Sequence, residues 1–297
     1  MKKLVFWTLL LCVGVAFSAF GDRQGEIIAP RGIVDRPLTN AELSAFVSSD
    51  SLKYIEAARF RGVDVQIGIF TQSLQGFPLS EGSYLAVSTG MVKNIPGHAQ
   101  IFANTNVGGV FITGGAPTGV NAYDVATITL RLDLSAVLAA SKPKLSFVFK
   151  FMSEEVPTYV GSPYQDFFTI KAFHSDGTYI GDIARLPNGS VFTIDNAWPY
   201  MNQVGGSSIS PLPPFPHPND VVFNGVTDVA TVGIVNFDLT ALAGKIIILE
   251  FQIGDAGDEI FDSAVFIDSL RIVTEAASPQ PGELWLCLLY TSPSPRD

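Results

Sequence analysis

The chain has 297 residues, 47% hydrophobic and only 15% charged, with 27 Gly and 22 Phe. That length and composition support one large core and favour strands and turns over long helices. A formal net charge of −10, with no basic run, excludes nucleic acid as a partner, because phosphate recognition needs clustered Lys and Arg.

Residues 1–21 read as a secretory signal peptide: Lys2 and Lys3, an apolar run from Leu4 to Phe17, then small residues at Ser18, Ala19 and Gly21. Losing it makes the formal charge more negative by two. The expected location is therefore secreted, extracellular or at the cell surface. Cys12 lies in that segment and Cys287 near the other end, so the expected mature body has no disulfide. Residues 22–38 read as an extended, Pro-punctuated lead-in. Thr39 to Arg61 reads as a short N-terminal helix, with Thr39 and Glu42 at capping-box spacing.

From there the pattern is β. Alternating segments run over residues 63–72, 84–90, 126–134 and 144–152, then DFFTIKAFH, GTYIGDIARL, SVFTIDNA, ATVGIVNFDL, KIIILEFQIG and SAVFIDSLRIV. Turn pairs such as Asp176-Gly177 and Asn188-Gly189 separate them. The expected fold class is all-β, a single β-sandwich or jelly-roll-like domain over residues 39–274. Residues 202–220 are a long Gly/Pro loop within it. Residues 275–297 form a Pro-rich tail whose ending, LCLLYTSPSPRD, reads as a translated sequencing adapter. On that reading any C-terminal anchor is lost, and only such an anchor would bring the protein to a membrane.

Two stretches echo each other. Residues 132–155 and 237–259 both run Asp-Leu-(Ser/Thr)-Ala, a link, a Lys, an alternating strand, then acids. Counted from Lys144 and Lys245, Glu154 and Asp255 fall at the same offset. If the two strands neighbour each other, their acidic ends meet.

The acids gather in two places. SEEVPTYVGSPYQDFF, residues 153–168, holds Glu154, Glu155 and Asp166. GDAGDEIFDSAVFIDS, residues 254–269, holds Asp255, Asp258, Glu259, Asp262 and Asp268. Ca²⁺ takes six to eight oxygens, and acids three to four apart around Gly254 and Gly257 suit it. Glu154, Glu155, Asp166, Asp255, Asp258, Asp262 and Asp268 are therefore the candidate Ca²⁺ ligands. A hydrogen-bonded carboxylate network is the structural alternative. If the run SAVFID is a strand, Asp268 shares a face with Ala264 and Phe266. The EF-hand spacing is absent, and the scattered His98, His174 and His217, with no Cys in the body, argue against a transition metal. Carboxylate pairs also serve glycosidases, so a hydrolase using Glu154, Glu155 and the 255–268 cluster is the catalytic alternative. A G-x-S-x-G nucleophile motif is absent. Tyr159, Tyr164, Trp198 and Tyr200 are candidate glycan-stacking residues if they lie exposed and coplanar.

Three ordered pieces then resemble the bacterial choice-of-anchor L domain: YLAVSTGMVKNIPG at 84–97, LSFVFKFMSEEVPTYVGSPYQDFF at 145–168 and GDAGDEIFDSAVFIDSLRI at 254–272. Ser153, Glu154, Glu155, Pro157 and Val160 match the family's Ser-Glu-Glu-Tyr-Pro-Glu-Phe-Val element. Asp166 and Phe168 match Asn-Asp-x-Phe, with Gln165 in place of Asn. Asp262, Ser263, Phe266, Ile267 and Asp268 match the late element. Val156 and Thr158 depart from the usual Tyr and Glu. The resemblance covers about residues 40–273. It implies a secreted β-rich domain carried to the surface by varied C-terminal anchors, with no established catalysis, and SPQPGE is similar to the start of a PEP-CTERM sorting signal. The expected role is adhesion, matrix or envelope interaction with an extracellular glycan or protein, without enzymatic activity. A glycan-binding module is the alternative.

Overall fold

The structure, a computed structural model, describes residues 32–71, 82–95, 106–153, 155, 159–186, 188–197 and 230–274. Thirteen strands among them form two antiparallel sheets. They are β1 (Ile33–Pro37), β2 (Ile55–Val63), β3 (Ile67–Phe70), β4 (Tyr84–Ser88), β5 (Val110–Ile112), β6 (Ala122–Asp133), β7 (Lys144–Ser153), β8 (Phe167–His174), β9 (Tyr179–Asp182), β10 (Phe192–Thr193), β11 (Ala230–Asp238), β12 (Ile246–Ala256) and β13 (Ser263–Val273). The larger sheet runs β1-β2-β6-β12-β8-β10, with β5 beside β6 and β9 beside β8; the smaller runs β11-β7-β13-β4-β3. The expected sandwich is present.

Alternation builds it. On β7, Leu145, Phe147, Phe149 and Phe151 fall on one face and enter the main core, where Phe147 meets Phe251 of β12 at 5.6 Å between ring centres. The opposite face of β7 is buried too. Met152 packs with Tyr84, Ala86, Ala264 and Phe266 in a second cluster on the outside of the smaller sheet. This is why its strands read as nearly continuous apolar runs.

The sequence echo has a physical basis. β6 crosses from the larger sheet to β7 in the smaller, and β11 crosses from the smaller sheet to β12 in the larger. Asp133 Oδ1 accepts from the Ser135 N–H at 2.8 Å, and Asp238 Oδ1 accepts from the Thr240 N–H at the same distance. Each Asp thus turns its own crossover. The crossovers also bond each other: Leu134 N–H donates to the Lys245 carbonyl, and Gly244 N–H to the Leu134 carbonyl, both at 2.9 Å. β7 and β12 are therefore equivalent strands that lie in different sheets, not side by side.

Several local expectations are corrected. The helix α1 covers only Asn40–Ser44, with Thr39 and Glu42 forming the capping box as expected. Arg36 holds the Glu42 carboxylate with two N–H groups at 2.7 and 2.9 Å. Residues 55–61, expected as helix, belong to β2, because Phe60 and its alternate neighbours pair with β6. The segment 63–72, expected as one strand, breaks at a 3-10 turn, Asp64–Gln66, where the chain passes between sheets. Only Phe192 and Thr193 of SVFTIDNA are strand; Ile194–Ala197 form the helical turn α2. Residues 33–37, within the lead-in, are the edge strand β1. Residues 1–31, 202–220 and 275–297 lie outside the described residues. No helix among the described residues is long and apolar enough to cross a membrane.

Candidate functional site

The inward-facing row of almost every central strand changes character at one end of the sandwich. On β12 the row Ile247, Leu249, Phe251, Ile253 is apolar, and its next member is Asp255. The β8 row Ala172, Ile170, Phe168 continues backwards to Asp166. From β7 it continues to Ser153 and Glu155, from β4 to Thr89, and on β13 it begins at Ser263. These residues close on one another between the sheets. Glu155, Asp166 and Asp255 are each 1% exposed.

Asp166 is well held. Its Oδ1 accepts from the Ala256 N–H at 3.0 Å and its Oδ2 from the Ser263 hydroxyl at 2.6 Å, so one carboxylate ties β8, β12 and β13. Thr89 Oγ1 accepts from the Ser263 N–H at 2.9 Å. Asp255 is different. Thr89 stands near enough to ease its charge, but the Thr89 hydroxyl donates to the Ser263 carbonyl at 3.4 Å. No donor reaches either Asp255 oxygen in normal geometry, although its carboxyl stands close enough to that of Asp166 to share a proton with it, and Glu155 Oε2 is buried without a donor as well.

The ends of this chamber are shaped by backbone features. Asp124 sits in β6 with a φ of 44°, at a register shift opposite Ile253 and Asp255. Its carboxylate accepts from the N–H groups of Val107 at 3.1 Å and Gly109 at 2.5 Å. Gln66 bridges the sheets: its amide nitrogen reaches the carbonyls of Ser88, Thr89 and Asp124 at 3.1, 3.0 and 2.6 Å. Gly90 lies against Asp262, which is also buried. Tyr159, whose N–H donates to the Glu155 carbonyl at 2.8 Å, packs on Phe261 at 5.1 Å and meets Tyr164 edge-on at 6.1 Å. Phe261 adopts a φ of 68°, a conformation bulky residues rarely take. Gln165, where the resemblance expects Asn, clamps the loop beneath. Its Nε2 donates to the Ser162 carbonyl at 2.9 Å and its Oε1 accepts from the Asp195 N–H at 2.8 Å.

The structure thus brings Glu155, Asp166, Asp255 and Asp262 to one end. Asp258 is half-buried at the same turn, where its Oδ1 accepts from the Ile260 N–H at 3.0 Å. Asp268 stands apart. It shares a strand face with Ala264 and Phe266, as expected, but that is the outer face, which carries the second apolar cluster. Five residues of strand put it ~16 Å from Ser263. Glu154, Trp198 and Tyr200 lie outside the described residues. Tyr159 and Tyr164 are half-buried and perpendicular, not a flat exposed platform. Among the described residues, no three His, Cys, Asp or Glu side chains converge closely enough to form a ready-made metal shell. Gln66 and Asp124 were not anticipated, and Thr89 and Gly90, which lie in the resembling piece at 84–97, were not named as site residues. The signal available was the parity of polar residues just past the ends of β4 and within β6.

Burial is the main force raising all three carboxyls of the chamber above the ordinary range. For Glu155 the charges of Asp166 and Asp258 add to it. For Asp166 the Ser263 hydroxyl, the Ala256 N–H and a contact with the Asp255 carboxyl oppose it, and the charge of Asp258 adds to it. For Asp255 the charge of Asp166, then those of Asp262 and Asp124, add to it. Groups raised on folding bind more protons folded than unfolded, so stability is lost as pH rises through their folded values. In a chelating buffer, lowering the pH from about 8 to about 5 is therefore expected to raise the melting temperature, because the folded carboxyls keep protons that the unfolded chain has released over that range. A flat profile in calorimetry over that range would contradict the burial argument.

The family model described as Choice-of-anchor L domain matches residues 33–271. No curated protein matches the chain. A solved structure described as a non-crystalline cellulose specific carbohydrate-binding module, CBM28, aligns at 12% identity over 56% of this chain and 80% of that one, with a TM-score of 0.26. So low a score carries no inference about fold or ligand.

Proposed function

From the premise that this chain belongs to the choice-of-anchor L domain family, a family of surface-associated β-rich domains, we propose that it is a non-enzymatic adhesion or envelope-interaction domain. Its partner in this reading is an extracellular glycan or protein. The observation that supports the non-enzymatic part is the burial of the acids. A glycosidase needs two carboxyl groups facing substrate and water, roughly 5–10 Å apart. Glu155, Asp166 and Asp255 are shut between the sheets at 1% exposure. The edge-on tyrosine pair is a poor platform for a sugar ring, so the glycan-module reading has less support than a protein or envelope partner.

Two measurements test this. Reducing-sugar release from soluble polysaccharides is expected to stay at background. Release that disappears in Glu155→Gln would overturn the non-enzymatic reading. Antibody raised against residues 33–274 is expected to label intact producing cells, and labelling only after lysis would remove the surface role.

A further inference from the structure

We propose that the chamber between the sheets is a divalent-cation site suited to calcium, with Asp255 and Glu155 as its principal ligands. This goes beyond the surface role above and does not depend on any extracellular partner being found.

The geometry around Asp255 carries it. Strand parity drives this side chain between the sheets, so it cannot turn out to water without breaking the β12 row. No donor of the protein meets either of its oxygens in normal geometry; its carboxyl instead approaches that of Asp166, and Glu155 Oε2 is buried without a donor as well. A network built only to tie the loops would look like Asp166, whose two oxygens are each met by a donor at 3.0 and 2.6 Å. The contrast between Asp166 and Asp255 is the point. One carboxylate has its donors supplied by the protein. The other keeps open acceptor positions in a place where burying a charge without compensation is costly.

The chemistry of the surrounding atoms selects the ion. The groups named at the chamber are carboxylates, the hydroxyls of Ser153, Ser263 and Thr89, and main-chain carbonyls; none is His or Cys. All-oxygen surroundings favour a hard cation over a transition metal. Three acidic side chains do not converge tightly here, so carboxylates would supply only part of the shell. Calcium tolerates that, because it accepts six to eight oxygens in irregular geometry, including carbonyls, hydroxyls and water. Magnesium, which demands a compact octahedron, fits less well. The site is also walled. Gly90 and Asp262 close one side, and Tyr159, whose N–H donates to the Glu155 carbonyl at 2.8 Å, stands beside Glu155.

The test uses the full chain, stripped with EDTA and titrated with Ca²⁺ or Mg²⁺ in a calorimeter. A parallel titration follows Tb³⁺ luminescence excited through tyrosine, since Tyr159 and Tyr164 stand at the chamber's rim. The expected result is a saturable one-ion response in which Ca²⁺ displaces Tb³⁺. The melting temperature should rise by roughly 5–10 °C at a hundredfold excess over Kd. Asp255→Asn should abolish the response to both ions while leaving the metal-free protein folded, because the amide matches the shape and neutrality of the protonated carboxyl that burial favours. Should that variant fail to fold, Glu155→Gln, which lies just past a strand end, replaces it and is expected to weaken binding at least tenfold. The proposal is overturned if neither ion binds the unaltered chain, or if the response survives unchanged in Asp255→Asn or in Glu155→Gln.

Discussion

Gly90→Ala should destabilise the domain by about 2–3 kcal/mol or more and disturb the acid chamber with it. A Cβ built at this position falls 1.8 Å from Asp262 Oδ2 and 2.2 Å from its Cγ. Such approaches are relieved cheaply when the neighbour is the tip of a long exposed side chain. Here it is a short carboxylate that is 2% exposed and immediately precedes β13. Either Asp262 rotates away from its site or the ends of β4 and β13 separate, where Thr89 N–H meets the Ser263 carbonyl at 2.9 Å. Urea titration should show a lower midpoint with an unchanged slope. Gly181→Ala is the matched control, since its added Cβ meets nothing within 4 Å, and it should stay within about 0.5 kcal/mol of the parent. Equal midpoints for the two variants would mean that Asp262 is not held as described.

Phe149→Ala should cost about 3–5 kcal/mol, a large share of the stability of a domain this size. Phe149 lies on β7, between β11 and β13 in the smaller sheet, and its ring reaches across the core. It meets Phe168 of β8 at 5.1 Å and Phe192 of β10 at 5.0 Å, the latter edge-on. Truncation removes both inter-sheet ring contacts and leaves a cavity that two stiff sheets cannot collapse to fill. Phe149→Leu keeps most of the volume and should lose markedly less. If the two substitutions cost the same, ring geometry rather than filled volume sets the price.

How much of this was legible beforehand depended on range. Strand alternation named most of the long strands, because a period of two is a local signal that burial on one face enforces. The helix over 39–61 was overdrawn for an equally physical reason. The Thr39–Glu42 cap is real, but the Ala- and Arg-containing segment after it has its conformation decided by pairing with β6. The acid grouping was visible because Glu155 and Asp166 lie close in sequence and Asp255 and Asp262 lie in one turn. Thr89, though inside the motif at 84–97, carried no local sign that it would face the acids, and Gln66 was invisible because it joins the site from a turn far away in the chain. Ser88, for example, donates to the Ser263 carbonyl across 175 positions. Asp268 shows the limit of parity. Alternation correctly placed it with Ala264 and Phe266, but only the second apolar cluster shows that this face looks away from the acids.

The place of β13 has a mechanical consequence. The described chain leaves the sandwich through this strand, which is not an edge but sits between β7 and β4. A pull from its C-terminal side runs along the strand, so the flanking ladders are loaded lengthwise and must yield together. An edge strand pulled away sideways would instead peel one bond at a time. Tension on the domain therefore meets the sandwich in shear, its stiffest direction.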